Sequence, residues 1–157
     1  MTAPPTGSNI HATALLLDGA GVLIRGPSGA GKSLLALSLL DHYRLTGRQA
    51  YLVADDRVDV SLGAGAIRMS APSVLFGLIE LRGRGIISRP AISQVELALI
   101  VDLVDRLERM PERPEFSVEL MGLNVPRCPV PRGGMVETGH QLLLVEEALR
   151  QLHPAAE

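Results

Sequence analysis

The sequence predicts an α/β layer fold, in which strands alternate with helices, and three observations lead to that prediction. Short apolar segments bounded by turn residues recur along the chain and are typical of buried strands. A leucine-rich segment without Gly or Pro, Ser33–Arg44, predicts a helix that is packed on most of its sides. A glycine-rich loop separates the first apolar segments from this helix, so the order along the chain is strand, loop, helix.

The first half of the chain is predicted to contain a hairpin, this helix and two further strands. The apolar segments His11–Leu17 and Gly21–Arg25 are joined by Asp18-Gly19-Ala20, a sequence typical of a hairpin turn. Gly47 follows the helical segment and predicts its end. The two further strands are predicted at Ala50–Ala54 and Val58–Leu62.

Segments in the second half are less regular. Pro72–Leu81 predicts a helix, and Phe116–Met121 predicts a short strand. Val95–Val104 is nearly all apolar and fits either a buried strand or a helix, and we favour a strand for its first part. The prolines in Val125–Arg132 limit that segment to an edge strand or an extended loop. Gln141–Leu152 repeats Leu and Val beside charged residues and predicts an amphipathic helix.

Length and composition predict one domain. A chain of 157 residues is near the usual domain size, and we expect a flexible leader over 1–9, one domain over 10–153 and a tail over 154–157. The net charge of −2, without a block of Lys and Arg, predicts no binding to nucleic acid or to membrane. No apolar run approaches the roughly 20 residues of a membrane span. The single cysteine, Cys128, suits a reducing compartment, so we expect a cytoplasmic protein.

The glycine-rich loop matches the phosphate-binding pattern G-x-x-x-x-G-K-[ST] in full. Its glycines allow several backbone N–H groups to point toward one centre, and the following helix adds the positive end of its dipole. The lysine of the pattern can reach the β- and γ-phosphates of a nucleotide, and the serine hydroxyl can bind Mg²⁺. The residues predicted to bind ATP are Gly26, Pro27, Ser28, Gly29, Ala30, Gly31, Lys32 and Ser33.

Acidic residues are the second requirement of a phosphoryl-transfer site, since a carboxylate helps to hold the metal and another can accept a proton. Asp55 and Asp56 end a predicted strand, where such an acid would lie, although a turn or a helix cap would also explain them. Taken alone, Glu80 fits a solvated helix end, and His11 fits a histidine with a purely structural role.

Four segments together resemble the catalytic domain of the HPr kinase/phosphorylase family. They are His11–Leu17, Val22–Ser33, Leu52–Val58 and Ile79–Ile87. The resemblance is strongest from His11 to Ile87, and its most specific parts are A-D-D-R-V at Ala54–Val58 and E-L-R-G-R-G-I-I at Glu80–Ile87. It implies an α/β fold with a mixed sheet and flanking helices, in which the phosphate loop connects a strand to a helix. It also implies an ATP- and Mg²⁺-dependent serine kinase that phosphorylates the phosphocarrier protein HPr and that also removes this phosphate by phosphorolysis. The resemblance further implies a homo-oligomer, commonly a hexamer.

The resemblance also implies roles for particular residues. Lys32 would bind phosphates, Ser33 and Glu80 would hold Mg²⁺, and Asp56 would be the base that takes the serine proton. Asp55 would lie beside Asp56, and His11 would be a further active-site group.

Three departures from the family pattern keep other functions open. Only ten residues precede His11, so we expect a truncated, proteobacterial-type member without the additional N-terminal domain. Leu34 follows the loop serine where an acid is usual, and His140 replaces an active-site arginine. The alternatives are a nucleotide-sensing binding module, a kinase of another protein substrate and, ranked last, a small-molecule kinase.

Overall fold

A tight hairpin organises the first part of the fold, which we describe from a computed structural model over residues 7–152. Strand β1 (Gly7–Ile10) leads into β2 (Ala12–Leu17), and β2 pairs antiparallel with β3 (Ala20–Arg25). Asp18 and Gly19 form the turn with positive φ angles of 48° and 86°, the geometry of a two-residue turn that matches the twist of its strands. The predicted hairpin is confirmed.

Helix α1 (Lys32–Leu45) follows the glycine-rich loop, and its end is set by Gly47. Gly47 has a φ of 76° and donates its N–H to the carbonyl of Arg44 at 3.0 Å, so the chain leaves the helix at this point. Strand β4 (Ala50–Ala54) begins shortly afterwards and pairs antiparallel with β2. The predicted helix and the predicted strand are therefore both present.

The helix predicted over Pro72–Leu81 is wrong. After β5 (Val58–Gly63) and β6 (Ala66–Ser70), the chain forms a 3₁₀ turn at Ser73–Leu75 and then a separate hairpin. This hairpin consists of β7 (Leu78–Leu81) and β8 (Gly85–Ser88). Along β7 exposed Leu78 and Glu80 alternate with buried Ile79, which is the period of a strand rather than of a helix.

Strand β9 (Gln94–Val104) is the longest strand and joins two parts of the main sheet. The apolar segment Val95–Val104, which fitted either a strand or a helix, is strand over its whole length. One edge of β9 pairs parallel with β3, while its other edge pairs first with β6 and then with β11 (Leu123–Pro131). Strand β10 (Ser117–Leu120) pairs with the first part of β11, and helix α2 (Thr138–Leu152) completes the described chain.

The main sheet is mixed and has nine strands in the described chain, with β1-β5-β6-β9-β3-β2-β4 as its main order. Alternate side chains of β3 and β9 enter two cores. One core contains the apolar faces of both helices, and the other lies between the sheet and the strands β5 and β6 that curl over it. The expected mixed sheet with flanking helices is confirmed, with both helices packed against the same core.

The strand directions place several chain segments at one edge of this sheet. Strands β3, β9 and β11 are parallel, and β4 runs in the same direction because both β3 and β4 are antiparallel to β2. Their carboxyl ends and the start of β2 therefore meet at the same edge, which we call the carboxyl edge.

The expected leader is partly wrong, because residues 7–9 belong to β1 and pair with β5. The rest of the leader and the tail over 154–157 lie outside the described residues. Neither helix of the described chain has the length and apolar character needed to cross a membrane.

Candidate functional site

The glycine-rich loop connects β3 to α1 at the carboxyl edge. Gly29 and Gly31 have φ angles of 83° and 95°, which disfavour residues with a Cβ atom. Lys32, the first residue of α1, is almost fully buried, and its ammonium group donates to the carbonyl oxygens of Gly26 at 2.8 Å and Pro27 at 3.1 Å. Its positive charge is thus held directly over the loop.

Asp55 lies at the end of β4 and connects three other elements. Its Oδ1 accepts hydrogen bonds from the hydroxyls of Ser33 at 2.7 Å and Thr13 at 2.9 Å. Its Oδ2 accepts from the backbone N–H of Glu80 at 3.0 Å. The carboxylate of Asp55, buried among these donors, fixes the start of α1, strand β2 and strand β7 relative to one another.

Asp56 is the next residue but faces solvent. Its backbone has a φ of 69°, a conformation that Asp tolerates better than most residues, and its side chain is 67% exposed. The carboxylate Oδ1 lies 2.6 Å from Nε2 of His11, which directly precedes β2. The left-handed backbone at Asp56 therefore turns its carboxylate away from Asp55 and toward the histidine.

Glu80 is attached to this group of residues through its backbone. Its N–H is bound by Asp55, whereas its carboxylate is exposed and lies 3.8 Å from the guanidinium of Arg82. The structure thus brings Ser33, Asp55 and the backbone of Glu80 into direct contact. Asp56 directly follows Asp55 in the sequence, so the His11–Asp56 pair lies next to this group of residues.

His140 lies elsewhere. It is in the first turn of α2 and lines a cavity beside that helix, and no residue of Gly26–Ser33 lines the same cavity.

Two contacts of the site were missed by the sequence analysis. Thr13 is fully buried and is the only polar residue of β2, so a hydroxyl inside an apolar strand was the available signal. The backbone N–H of Gly133, between β11 and α2, donates to the carbonyl of Ala30 at 3.2 Å. This second contact supports the glycine-rich loop from the side, and no pattern of side chains in the sequence indicates it.

An ion-pair network was also missed. Both nitrogens Nε and Nη2 of Arg25, the last residue before the loop, donate to Asp102 on β9 at 2.8 Å. Nε of Arg127 on β11 donates to the same carboxylate at 2.6 Å, and its Nη1 donates to Glu115 at 3.0 Å. Asp102 is an acid inside a run of apolar residues, which was the signal in the sequence.

The charges of this network change the pKa of Asp102. Burial alone would raise the pKa of this carboxyl, but the hydrogen bonds and charges of Arg25 and Arg127 outweigh burial and hold it below its usual value. Asp102 is therefore ionised at neutral pH and binds β3 to β9 and β11 immediately beneath the loop.

The residues at the carboxyl edge fit a magnesium nucleotide. Within residues 7–152 no group of three or more His, Cys, Asp and Glu side chains is arranged to hold a metal ion. Mg²⁺ in nucleotide sites needs no such group, since one or two protein ligands and the phosphates commonly bind it. The Ser33 hydroxyl, which the Asp55 carboxylate holds in place by a hydrogen bond of 2.7 Å, is an oxygen ligand of this kind.

Taken together, the mixed sheet and its flanking helices define an α/β protein, and its strand–loop–helix unit has the sequence pattern G-x-x-x-x-G-K-[ST]. Comparison with known protein families then identifies the family to which this chain belongs. Residues 5–154 match the model of the HPr Serine kinase C-terminal domain, and the chain belongs to this family.

Individual relatives agree with this assignment. Two proteins named HPr kinase/phosphorylase, from Streptococcus thermophilus and Bordetella pertussis, are 34% and 36% identical over 90% and 94% of this chain. The match spans 46% and 48% of those proteins, so the chain spans about half the length of the curated relatives it matches.

A solved structure shows the same fold. The Hpr(Ser) kinase/phosphatase from Coxiella burnetii superposes with a TM-score of 0.73 at 31% identity, covering 92% of this chain and 89% of that one.

Proposed function

We propose that this chain is a P-loop protein kinase that binds ATP and Mg²⁺ at the carboxyl edge and transfers the γ-phosphoryl group to a serine of a protein. The observation that carries the proposal is the contact of Asp55 with the loop serine, Ser33, and with the backbone of Glu80. This contact supports a single site in which the phosphate loop, an acidic group and the β7–β8 hairpin act together.

The loop Gly26–Ser33 would bind the phosphates of ATP. Its backbone N–H groups and the amino end of α1 offer partial positive charge, and Lys32 contributes a full charge from its position over Gly26 and Pro27. Positive groups held in advance at the site of transfer stabilise the charge that spreads over the transferred phosphoryl group.

Ser33 and Glu80 are proposed as the ligands of Mg²⁺, with Asp55 holding the Ser33 hydroxyl in place. The bound metal ion would offset negative charge on the phosphates. Because Asp55 binds the N–H of Glu80, it also fixes the backbone from which the Glu80 carboxylate projects. Asp55 is therefore a positioning residue in this proposal, and its buried carboxylate already accepts three hydrogen bonds.

Asp56 is proposed as the general base. Its exposed carboxylate is free to approach a serine hydroxyl on a partner, and the contact with His11 holds one of its oxygens in a fixed direction. The carboxylate would accept the hydroxyl proton as the serine oxygen attacks phosphorus. In the reverse direction the same acid would return the proton to the leaving serine oxygen.

The proposed substrate is the phosphocarrier protein HPr, since the matched relatives carry the name HPr kinase/phosphorylase. Phosphorolytic reversal, a cytoplasmic location and assembly into a homo-oligomer such as a hexamer are further parts of this proposal.

The proposal is tested by incubating the purified chain with γ-labelled ATP, Mg²⁺ and HPr from the same source. We expect label on a serine of HPr, and no label when that serine is replaced by alanine. The matched enzyme control is Asp56→Asn, which should bind ATP but transfer no label. A folded wild type that binds ATP and labels no serine of HPr would contradict the proposed reaction and favour a nucleotide-sensing module or another protein substrate.

A further inference from the structure

A second candidate binding site lies beside α2, away from the phosphate loop. It is a cavity of about 750 Å³ between α2, the carboxyl halves of β9 and β11, and the segment 106–116. No residue of Gly26–Ser33 lines it, nor do Asp55, Asp56 or Glu80. Its volume falls within the range typical of small-molecule sites. We call it the α2 cavity.

The walls of the α2 cavity are largely apolar. Its inner wall includes Leu99, Cys128, Pro131, Leu144, Ala148 and Leu152. Burial raises the pKa of the Cys128 thiol to about 12, against the opposing charge of Arg127, so this wall carries no thiolate at neutral pH. Leu107 and Phe116 line the entrance and are 50% and 46% exposed, which leaves apolar surface in contact with water. An apolar ligand would cover this surface.

The charges around the α2 cavity favour an anion. Each acidic residue that lines it has an arginine partner: Glu108 pairs with Arg106, Glu115 with Arg127, and Glu147 with Arg150. In contrast, Arg109 lines the cavity and has no acidic group within ion-pair distance in the part of the chain that the structure describes. His140 lines the same cavity. A cation without a partner beside apolar walls is complementary to an apolar molecule with one negative group.

We propose that the α2 cavity binds a small amphipathic carboxylate, such as a medium-chain fatty acid, with its apolar body against α2 and its carboxylate at Arg109. Occupancy of the cavity also changes the affinity of the phosphate loop for nucleotide, and this second part rests on the proposed function. The binding part does not depend on it.

The ion-pair network supplies the physical connection between the two sites. Arg127 lines the cavity and binds Asp102 at 2.6 Å, and Asp102 binds Arg25 at 2.8 Å. Arg25 is joined covalently to Gly26, the first residue of the loop. A ligand that alters the position of Arg127 therefore alters the support of the loop through one carboxylate that both arginines share.

Binding is tested by isothermal titration of the full chain with decanoate below its micellar concentration, in the absence of nucleotide. We expect saturable binding of one decanoate per chain. Arg109→Gln should weaken decanoate binding about ten-fold, the effect of losing one charge-assisted hydrogen bond. Arg113→Gln is the matched control, because Arg113 lies in the same segment but does not line the cavity, and it should bind as the wild type does.

The location is tested with Ala148→Phe, which adds a phenyl ring to the wall that α2 contributes and should weaken decanoate binding at least ten-fold. Leu143→Phe is its control, since Leu143 lies on the same helix, is 65% exposed and does not line the cavity. Decanol, which lacks the charge, provides a second measurement that needs no variant and should bind at least ten-fold more weakly than decanoate. Absence of saturable binding, or equal binding of decanoate by Ala148→Phe in its folded form, would overturn the proposal.

Coupling is tested by measuring ATP affinity with and without saturating decanoate. We expect a change of at least three-fold in the wild type and a smaller one in Ala148→Phe at the same decanoate concentration. An unchanged ATP affinity in the wild type would overturn the coupling alone. If ATP fails to bind at all, the proposed function fails, while the decanoate titration still decides whether the cavity is a site.

Discussion

Asp55 and Asp56 are adjacent in the sequence but have different environments and different proposed roles. Asp55 is buried and accepts three hydrogen bonds, whereas the carboxylate of Asp56 is exposed and contacts only His11 among the described residues. The positive φ of 69° at Asp56 turns the two side chains apart. One residue of displacement along the chain thus separates a buried carboxylate from an exposed one.

Substitution by asparagine should distinguish these two roles. In Asp55→Asn the amide nitrogen either faces the N–H of Glu80 or forces two hydroxyls to turn round, so we expect a loss of about 1–3 kcal/mol of stability. Asp56→Asn should change the free energy of unfolding by less than about 0.5 kcal/mol, because the site is exposed, but should abolish transfer. Urea unfolding and serine labelling measure the two effects. Similar losses of stability in both variants would contradict this division.

Lys32 is the residue whose removal tests the phosphate loop most directly. We expect Lys32→Ala to weaken ATP binding by roughly ten- to a hundred-fold, because hydrogen bonds to charged groups contribute about 1.5–3 kcal/mol. Its stability should fall by about 1–3 kcal/mol at most, because the variant also loses the two hydrogen bonds to the carbonyls of Gly26 and Pro27. ATP titration of the variant measures the first effect and thermal unfolding measures the second.

The control for Lys32→Ala is Ser38→Ala on the same helix, which removes only a hydrogen bond to the carbonyl of Leu34. It should bind ATP as the wild type does. Equal affinity of Lys32→Ala and Ser38→Ala for ATP would show that the loop does not bind phosphate through its lysine.

At the scale of residues, the sequence indicated what the site contains but not how its parts contact each other. The pattern from Gly26 to Ser33 requires particular residues at fixed spacing, so it could be read directly. The hydrogen bond of Thr13 to Asp55 could not be predicted, because nothing around a threonine in an apolar strand indicates a partner 42 residues away. The N–H of Gly133 carries no side-chain signal at all.

Helix α1 and the hairpin β7–β8 show when an element can be predicted. The helix has a long leucine-rich segment and a glycine at its end, and these local signals agree with the tertiary structure. Pro72–Leu81 contains a helix-compatible opening, but Gly77 has a φ of 76° and the chain after it pairs with β8. Pairing with a later segment overrode local propensity there, and a single short window of sequence does not contain that information.

The end of α1 provides a prediction about an element. At Gly47 an added Cβ would meet no atom within 4 Å, so the cost of Gly47→Ala comes from its positive φ alone. We expect a loss of about 1 kcal/mol in the free energy of unfolding, measured by urea denaturation.

Gly139→Ala is the matched control for Gly47→Ala. Gly139 lies in α2, its added Cβ would also meet no atom within 4 Å, and it does not have a positive φ. This substitution should leave stability unchanged or increase it slightly, since Ala favours helix more than Gly does. An equal loss in both variants would mean that the conformation of Gly47 is not the cause.

Across the whole molecule, the site depends on strand directions that the sequence did not determine. The sequence indicated only that Asp55 ends a strand. The structure places this strand end at the carboxyl edge with the glycine-rich loop, because β3 and β4 both pair antiparallel with β2 and therefore run in the same direction. Strand order and direction follow from long-range packing, and the apolar patterns of these strands permit several orders.

The ion-pair network at Asp102 gives a prediction for the stability of the whole chain. Because the pKa of Asp102 in the folded protein is below its usual value of 3.8, the unfolded chain binds this proton more readily than the folded one. The contribution of Asp102 to stability is therefore fully present above about pH 5 and is lost as the pH falls through 3.8 toward the lower folded pKa. Acid should consequently loosen the contacts that join β3, β9 and β11.

Asp102→Asn should remove this contribution at all pH values. We expect the variant to lose about 3 kcal/mol at pH 7, the lower end of the range for breaking a buried ion pair, and to lose less further stability than the wild type between pH 5 and pH 3. Asp105→Asn is the matched control, because Asp105 pairs with Arg132 but is 80% exposed, and it should follow the wild type within about 0.5 kcal/mol. Urea unfolding of the three proteins at several pH values measures the comparison. Parallel curves of unfolding free energy against pH for the wild type and Asp102→Asn would mean that this carboxylate has the same pKa in the folded and the unfolded chain. The network would then not be what holds β3, β9 and β11 together beneath the loop.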